Sequence, residues 1–309
     1  MRKEQILRIL PNDIRGEIEK TNIEYMHLQE IRIRIHSGIL MVYKGEEWVP
    51  PRLKNYKVKE RDMKEILEYI SEYSLYAYEQ EVKQGFITIE GGHRVGVVGK
   101  AVIEDGRIKN LKYISSFNIR LAHEMIGCAD KLLPYIIHQG NICHTLLISP
   151  PRCGKTTILR DLIRTVSDGG QWMKGKTVGV VDERSELGAC YHGIPQNQMG
   201  RRTDILDACP KVEGMMMLVR SMSPEVIVID ELGGEEDVHA VEYAIHCGCK
   251  MIGSIHGVSL ADIKKKPIFH YLNKNKVFER YVELCNEPVV GSVRGIYDGD
   301  GNLLCQGVR

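Results

Sequence analysis

The chain has 309 residues, a length typical of two domains, and its 42 Lys and Arg against 41 Asp and Glu leave a formal net charge of +1 at pH 7. A chain balanced in this way has no overall electrostatic attraction for DNA, RNA or an anionic membrane. Its nine cysteines include no C-x-x-C pair, it has no signal-peptide pattern, and no apolar run approaches the ~18 residues that would span a bilayer. We therefore expect a cytoplasmic protein with free thiols, whose membrane role, if it has one, goes through a partner.

The first predicted elements are two strands and a helix. Residues 29–35, QEIRIRI, alternate apolar and polar side chains with the period of two that is typical of a half-buried strand. Residues 39–49, ILMVYKGEEWV, predict a second strand after a turn at HSG. Apolar side chains recur at three- and four-residue steps over residues 60–76, which indicates an amphipathic helix.

Residues 85–122 continue this region with a strand-rich stretch, GFITIEGGHRVGVVGKAVIEDGRIKNLKYISSFNIRLA. Its turns are expected at Gly91–Gly92 and at Asp105–Gly106, where small and polar residues interrupt the strands. We therefore predict that residues 1–125 form a small α+β amino-terminal domain.

From residue 126 on, predicted strands and helices alternate. The helices are expected over residues 128–140, 156–170, 213–223 and 237–247, and the strands over residues 144–149, 177–182, 225–230 and 250–255. Alternation of this kind implies a mainly parallel sheet that is covered by helices on both faces. We predict that residues 126–309 form this α/β domain.

The stretch SPPRCGKTT, residues 149–157, has the pattern of a phosphate-binding loop, G-x-x-x-x-G-K-[ST], with Ser149 in place of the first glycine. It joins a predicted strand to a predicted helix, where backbone N–H groups converge on phosphates. In such loops the lysine, here Lys155, reaches the outer phosphates and the next residue, Thr156, holds Mg²⁺. Ser149 fits if its φ is negative, since a positive φ would be strained. The residues expected to contact ATP are Ser149, Pro150, Pro151, Arg152, Cys153, Gly154, Lys155, Thr156 and Thr157.

An acidic pair follows the third strand of this domain, in VIVIDELGG, residues 226–234. Asp230 is expected to hold Mg²⁺ through water, and Glu231 to polarise the attacking water. Such a pair by itself is weak evidence, because many strands end in acids. Together with the loop and the alternating elements it favours a nucleotide site over a chance match in an ordinary strand–turn–helix.

Polar residues also follow the second and fourth strands. VVDERSEL, residues 180–187, places Asp182, Glu183 and Glu186 after the second strand, and MIGSIHG, residues 251–257, places His256 after the fourth. Because ligands bind beyond the carboxyl ends of parallel strands, we expect Asp182, Glu183, Glu231 and His256 to cluster beside the loop. The alternatives are solvated loop charges for the acids and a hydrogen-bonded turn for the histidine.

The order of these motifs resembles the secretion-superfamily ATPases of type II and type IV machines, with their acidic box, Walker B strand and histidine box. It is more similar still to the stage III sporulation protein AA family, through GGHRVGVVGKAV, ISSFNIRLA, GRRTDILDACPK and GMMMLVRSMSPEVIVIDE. The resemblance implies a RecA-like P-loop ATPase domain, with a Walker A loop for ATP and Mg²⁺, behind the smaller amino-terminal domain. It also implies a ring, a homo-hexamer, on the mother-cell side of a channel between mother cell and forespore. The other partners would be integral membrane proteins of that channel.

The resemblance also carries roles onto single residues of this chain. Glu231 matches the catalytic glutamate, to be used together with Lys155, and His256 matches the histidine box. Asp182, Glu183 and Glu186 match the acidic box, and Glu183 is the member we expect to take part in catalysis. Two loop residues, Ser149 and Arg152, depart from the glycines of related loops. The secretion ATPases carry an arginine at the position of Ser221, and no role is transferred to its neighbour Arg220.

Arginines from the amino-terminal domain are expected, on the same resemblance, to close over the nucleotide and to neutralise charge on the γ-phosphate. Arg94 in GGHRVG and Arg120 in FNIRLA are the candidates, and Arg201 and Arg202 are further ones that would reach a neighbouring subunit. The alternative for each of them is a surface or structural arginine.

Two other functions remain open at the level of the sequence. A nucleic-acid motor would need a basic groove with stacking aromatics, whereas aromatic residues make up 6% of the chain and its charge is balanced. An ATP-binding scaffold with little hydrolysis is suggested by the altered loop, but Lys155, Thr156 and Glu231 argue against it.

A third signal, DGDGN at residues 298–302, resembles the start of a calcium loop, but a hairpin turn is the better interpretation because the later ligand positions do not match.

Overall fold

The structure is a computed structural model, and it describes residues 2–71, 85–274 and 276–308. Within these ranges none of the helices combines the length and the apolar character needed to cross a bilayer.

The chain divides into two compact units. The first consists of Met1–His123 and Ala189–Gln196, and the second of Glu124–Gly188 and Asn197–Arg309. Residues 189–196 lie within the predicted second domain, but in the structure they pack with the first unit. The reason is local packing: Gln196 Oε1 accepts a hydrogen bond of 2.8 Å from the backbone N–H of Gly91. The boundary at residue 125 stays a proposal.

The first unit contains an antiparallel sheet of six strands in the order β3-β2-β1-β6-β5-β4. Its strands are β1 Leu28–Arg34, β2 Leu40–Tyr43, β3 Glu46–Trp48, β4 Phe86–Ile89, β5 His93–Glu104 and β6 Arg107–Arg120. Its helices are α1 Arg2–Arg8, α2 Asn12–Glu19 and α3 Glu60–Ile70, with short 3₁₀ turns at Tyr25–His27 and Pro51–Leu53.

The core of this unit lies between one face of the sheet and the helices. The alternation predicted for β1 is confirmed, because Ile31 and Ile33 are fully buried and pack in one cluster with Ile66 of α3. The predicted second strand is instead a hairpin, since Lys44 and Gly45 both adopt left-handed backbone conformations and reverse the chain. The helix predicted over 60–76 is confirmed as far as Ile70, and residues 72–76 lie outside the described residues.

The second unit contains a sheet of eight strands in the order β11-β10-β12-β13-β9-β14-β15-β16. Its strands are β9 Thr145–Ser149, β10 Val178–Asp182, β11 Thr203–Asp207, β12 Val226–Ile229, β13 Lys250–His256, β14 Arg280–Cys285, β15 Ser292–Asp298 and β16 Leu303–Val308, and the pair β7 Ile137–His138 and β8 Asn141–Ile142 forms a separate ribbon. The helices are α4 Leu133–Ile136, α5 Lys155–Asp168, α6 Lys211–Ser221, α7 Glu235–His246, α8 Leu260–Ile263 and α9 Pro267–Lys274, and a 3₁₀ turn covers Asp130–Leu132.

Six neighbouring strands, from β11 to β14, run parallel, and the two remaining strands extend the sheet in antiparallel fashion. Side chains alternate between the two faces, so that Leu147 of β9 packs in one core with α5 while Leu146 and Ile148 pack in the other with α6 and α7. A sheet buried on both faces explains the nearly continuous apolar runs of its strands. The predicted fold class, a mainly parallel sheet behind a smaller α+β unit, is confirmed.

Three features of this unit differ from the sequence analysis or extend it. The helix predicted over 128–140 is largely wrong, because α4 has four residues and a turn through Gln139 and Gly140, both with positive φ, leads into the ribbon β7–β8. Strand β11, the parallel strand β14 and the antiparallel strands β15 and β16 were not predicted. The hairpin at residues 298–302 is confirmed, and the Asp298 carboxylate accepts hydrogen bonds from the backbone N–H groups of Asp300 and Asn302.

Candidate functional site

The segment predicted to bind phosphate, residues 149–157, joins β9 to α5 and is called the phosphate loop below. Gly154, with φ 80°, is the residue before the helix, and Arg152, with φ 62°, shares its left-handed conformation. Ser149 is the last residue of β9 and is not in this region, so it meets the condition that the sequence analysis placed on it. Its buried hydroxyl donates to the backbone carbonyl of Pro150 at 2.8 Å. The replacement of the first glycine by Ser149 therefore introduces no backbone strain. The loop residues with a left-handed backbone conformation are Arg152 and Gly154.

Glycine is required at position 154 for a second reason. A Cβ at this position would lie 3.2 Å from the backbone nitrogen and Cα of Gly291 and 3.3 Å from Cγ1 of Val290. The loop is therefore packed directly against the turn that joins β14 and β15.

Lys155 stands between two carboxylates at the end of β12. Its Nζ lies 3.7 Å from Oδ1 of Asp230 and 3.7 Å from Oε2 of Glu231. The side chains of Lys155 and Asp230 are only 11% and 10% exposed, so solvent screens this attraction weakly. The loop lysine and the acidic pair, separated in sequence, therefore meet as predicted.

The strand that ends at the acidic pair is not adjacent to the strand that leads into the loop. Strand β13 lies between β9 and β12. His256 is the last residue of β13 and pairs in register with Ser149, the last residue of β9.

Asp230 has the properties of a ligand for a metal-bound water. It is 8% exposed, and burial raises the pKa of its carboxyl, an effect that Lys155 opposes. Its Oδ1 is buried without a hydrogen-bond partner, while its backbone carbonyl accepts from the hydroxyl of Ser254. A buried oxygen with unused acceptor capacity fits the water shell of Mg²⁺. Thr156, the other predicted metal ligand, lies half-buried in the first turn of α5.

Glu231 is surrounded by three basic side chains. His256 Nε2 lies 3.3 Å and Arg184 Nη1 3.6 Å from the same Oε2 atom that faces Lys155. The other ring nitrogen of His256 lies 3.4 Å from the backbone carbonyl of Ser149, at the start of the phosphate loop. His256 therefore joins Glu231 to the loop, as the prediction of a cluster at the strand ends required.

The acidic residues after β10 have different environments. Asp182 is fully buried, and its carboxylate accepts from the backbone N–H groups of Glu186, Leu187 and Gly188 at 2.8, 2.9 and 2.8 Å. It therefore holds the following loop in place, and its oxygens are committed to that loop. Glu183 lies at the surface and its carboxylate is 3.4 Å from Nζ of Lys211.

Lys211, which the sequence analysis did not single out, connects this region to the acidic pair. Its Nζ donates to the backbone carbonyl of Glu231 at 3.0 Å and pairs with Asp237 at 3.2 Å as well as with Glu183. Asp237 in turn accepts from the backbone N–H of Gly233 at 2.7 Å. The ammonium group of Lys211 therefore fixes the backbone at Glu231. The sequence marks Lys211 only through its place in the motif GRRTDILDACPK.

Arg160, in the second turn of α5, was also missed. Its guanidinium donates to the backbone carbonyls of Glu186 and Leu187 at 2.8 and 3.0 Å. The loop that Asp182 holds from β10 is therefore also held from the helix that begins at Lys155.

The four predicted arginines form two groups. Arg94 and Arg120 belong to the first unit, where they are cross-strand partners on β5 and β6. The guanidinium of Arg94 lies 4.8 Å from the ring centre of Phe86, and that of Arg120 is 3.7 Å from Glu30. Arg201 and Arg202 contact Asp168 and Ser167 at the far end of α5 from the loop. Any contact of the four arginines with a nucleotide stays a prediction.

We expect the charge of Asp182 to make stability depend on pH. Burial raises its pKa to about 6, and the neighbouring carboxylates of Asp207 and Asp230 act in the same direction, against the backbone N–H donors of Gly188 and Glu186. The folded protein therefore binds this proton more tightly than the unfolded chain does, and the stabilisation is lost as the pH rises through about 6. Asp182→Asn removes the titration, so the free-energy advantage of the wild type over this variant should shrink by roughly 1–2 kcal/mol between pH 5 and pH 7.5.

Urea unfolding of both proteins at the two pH values measures this difference. Asp204→Asn, at an exposed position of β11, is the matched control and should differ from the wild type equally at both pH values. A wild-type advantage that grows with pH would contradict the assignment.

The chain shares its fold with ATPases of known structure. The structure is similar to the X-ray structure of the Legionella pneumophila ATPase DotB, with a TM-score of 0.58 and 15% identity over 89% of this chain and 76% of that one. It is also similar to the crystal structure of the pilus retraction motor PilT with bound ADP, with a TM-score of 0.60 and 15% identity over 98% and 84% of the two chains. At this level of identity the likeness concerns the fold alone.

The sequence itself is much nearer to a sporulation protein. Residues 1–304 match the family described as sporulation stage III, protein AA. The stage III sporulation protein AA of Bacillus subtilis (strain 168) is 44% identical over 301 residues, which cover 97% of this chain and 96% of that protein. The chain belongs to the sporulation stage III protein AA family, and the resemblance found in the motifs is confirmed.

Proposed function

We propose that the protein is an ATPase that hydrolyses ATP to ADP and phosphate. The observation that supports this most directly is the meeting of Lys155, Asp230 and Glu231 at the mouth of the phosphate loop. Lys155 begins α5 and the two acids follow β12, so the groups come from segments that are far apart in the sequence. Each is of the type that phosphoryl transfer needs at its place.

The triphosphate of ATP would lie on the loop, with backbone N–H groups and the amino terminus of α5 directed at it. Lys155 binds the outer phosphates, and Thr156 and Asp230 would hold Mg²⁺, the latter through water. Bound Mg²⁺ neutralises part of the phosphate charge.

Glu231 acts as the base in the hydrolytic step. Its carboxylate takes a proton from water, the water oxygen forms a bond to the γ-phosphorus, and the bond between this phosphorus and the bridging oxygen breaks to release ADP. His256, 3.3 Å from Glu231, orients the carboxylate, and its other nitrogen faces the loop. Glu183 supports the same site through Lys211.

Before ATP binds, Lys155 is shared by Asp230 and Glu231. A triphosphate carries more negative charge than either carboxylate, so it draws Lys155 toward the loop. Glu231 then loses a cationic neighbour, and its carboxylate can bond to the attacking water instead. Binding of the substrate therefore prepares the base.

At the level of the cell, we propose that the chain works as a ring, a homo-hexamer, which docks from the cytoplasm of the mother cell on integral membrane proteins of a channel to the forespore. Membership of the sporulation family supports the setting, and the fold shared with an ATPase and a pilus retraction motor supports the motor role. Arg94 and Arg120 would then close over the nucleotide.

Two measurements on the purified full chain test this proposal. Phosphate release from ATP should require Mg²⁺ and fall to the uncatalysed background in EDTA, and the mass in solution should increase when ATP and Mg²⁺ are added. ATP binding without phosphate release would favour the scaffold, and turnover that requires DNA or RNA would favour the nucleic-acid motor. A strict monomer under both conditions would contradict the ring.

A further inference from the structure

The turn between β14 and β15, residues 286–291, exposes an apolar surface beside the phosphate loop. Val289 and Val290 are 65% and 64% exposed, and Pro288 before them is exposed as well. Single exposed apolar side chains are common at protein surfaces. Contiguous exposed apolar side chains beside a candidate ligand site indicate a surface that contacts the ligand.

This turn is held firmly by its own hydrogen bonds. The backbone carbonyl of Val289 accepts from the hydroxyl of Ser292 at 2.8 Å and from its backbone N–H at 3.1 Å. Lys131 Nζ donates to the carbonyl of Gly291 at 2.8 Å. Because valine side chains are also stiff about χ1, the two exposed side chains form a preformed surface.

The turn is in direct contact with the phosphate loop and its helix. Val290 Cγ1 lies within 3.3 Å of the place where a Cβ on Gly154 would stand. A Cβ on Gly291 would in turn meet Cδ1 of Ile158, in the first turn of α5, at 3.5 Å. A ligand on the loop is therefore within immediate reach of the turn.

The sheet order gives the direction of that ligand. Glu231 follows β12, His256 ends β13, the loop follows β9, and the turn follows β14, in this order across the sheet. Three strand spacings, about 14 Å, separate the first of these strands from the last. A nucleoside triphosphate whose γ-phosphate faces Glu231 therefore extends across the loop, and the opposite end of the molecule arrives at the turn.

We propose that the side chains of Val289 and Val290 form the contact surface for the heterocyclic base of the bound nucleotide. The inference rests on the proposed function, since it assumes that the loop binds a triphosphate. The flat face of a base packs on the two side chains, which removes apolar surface from water on both partners. Valine side chains have no hydrogen-bonding groups, so this surface contributes affinity for a base and does not distinguish adenine from guanine.

Calorimetry on the full chain, with Mg²⁺ present, tests the assignment with three ligands: ATP, GTP and inorganic tripolyphosphate. The double variant Val289→Ala/Val290→Ala should bind ATP and GTP roughly tenfold more weakly than the wild type, and by the same factor. Tripolyphosphate, which has no base, should bind equally to both proteins. Val98→Ala, at a valine of β5 with 59% exposure, is the matched control and should bind all three ligands as the wild type does.

The outcomes separate the base site from the ATPase proposal. If the double variant binds ATP as tightly as the wild type, or loses ATP and tripolyphosphate affinity to the same extent, the base site is wrong while the ATPase proposal stands. If the wild type binds neither ATP nor tripolyphosphate, the proposed function fails and the base site with it. Because both valines are exposed, the thermal unfolding midpoint of the double variant should match that of the wild type, which checks that the fold is intact.

Discussion

Glu231→Gln should lower the rate of phosphate release by at least about a hundredfold, because an amide cannot take the proton of the attacking water. The amide has the size of the carboxylate, so the surroundings of the site are kept. It removes, however, one of the two charges that hold Lys155 at 3.7 Å. ATP affinity should therefore be equal to that of the wild type or higher. Stopped-flow phosphate release and calorimetry measure the two quantities.

Glu225→Gln provides the matched control for this experiment. Glu225 lies just before β12, at the opposite end of the strand from Glu231, and bonds to Lys176 and to the backbone N–H of Thr177. Its replacement should leave both phosphate release and ATP affinity unchanged. Equal rates for the wild type and Glu231→Gln would remove Glu231 from the mechanism and favour an ATP-binding scaffold.

Lys155→Ala should abolish ATP binding, so that calorimetry at millimolar ATP registers no heat of binding. The variant loses the ammonium group that is expected to reach the outer phosphates and that pairs with Asp230 and Glu231. Lys176→Ala is the matched control, since Lys176 pairs with the exposed Glu225, and ATP binding should be unchanged there.

The same variant should also be less stable, and more so at higher pH. Burial already raises the pKa of Asp230, and Lys155 is the main group that opposes this effect. Without it the folded-state pKa rises further above the unfolded value, so stability is kept at low pH and lost as the pH rises. We expect a loss of roughly 1–3 kcal/mol near neutral pH and a smaller one at pH 5. A loss that is greatest in acid would contradict the charge environment described for Asp230.

The parts of the site that the sequence predicted are those with short-range signals. A strand, a loop and a helix that follow each other directly, as in β9, the phosphate loop and α5, leave a local pattern of apolar periodicity and turn residues. The same holds for Asp230 and Glu231 at the end of an apolar run. Strand ends of a parallel sheet share an edge, and this rule alone brought His256 to the loop.

The parts that the sequence did not predict depend on long-range packing. Lys211 and Arg160 are ordinary helix residues by pattern, and their partners are backbone carbonyls that no sequence motif marks. Asp182 was expected in the cluster beside the loop because it lies at the carboxyl end of a predicted strand. Only the fold shows that its carboxylate oxygens accept hydrogen bonds from three backbone N–H groups of the loop that follows β10.

The strand order and the position of the chain reversal could not be predicted from the sequence either. Nothing local states that β13 lies between β9 and β12, because a parallel sheet allows several orders for the same succession of elements. The hairpin at Lys44 and Gly45 was missed since a lysine with positive φ is uncommon.

The segment between Asp182 and Gly188 is anchored at two places. Arg160 donates to its backbone carbonyls from the helix that begins at the phosphate loop, and the Asp182 carboxylate accepts from its backbone N–H groups at the end of β10. Arg184, whose guanidinium faces Glu231, lies within this segment. The position of that cation therefore depends on α5 and on the sheet together.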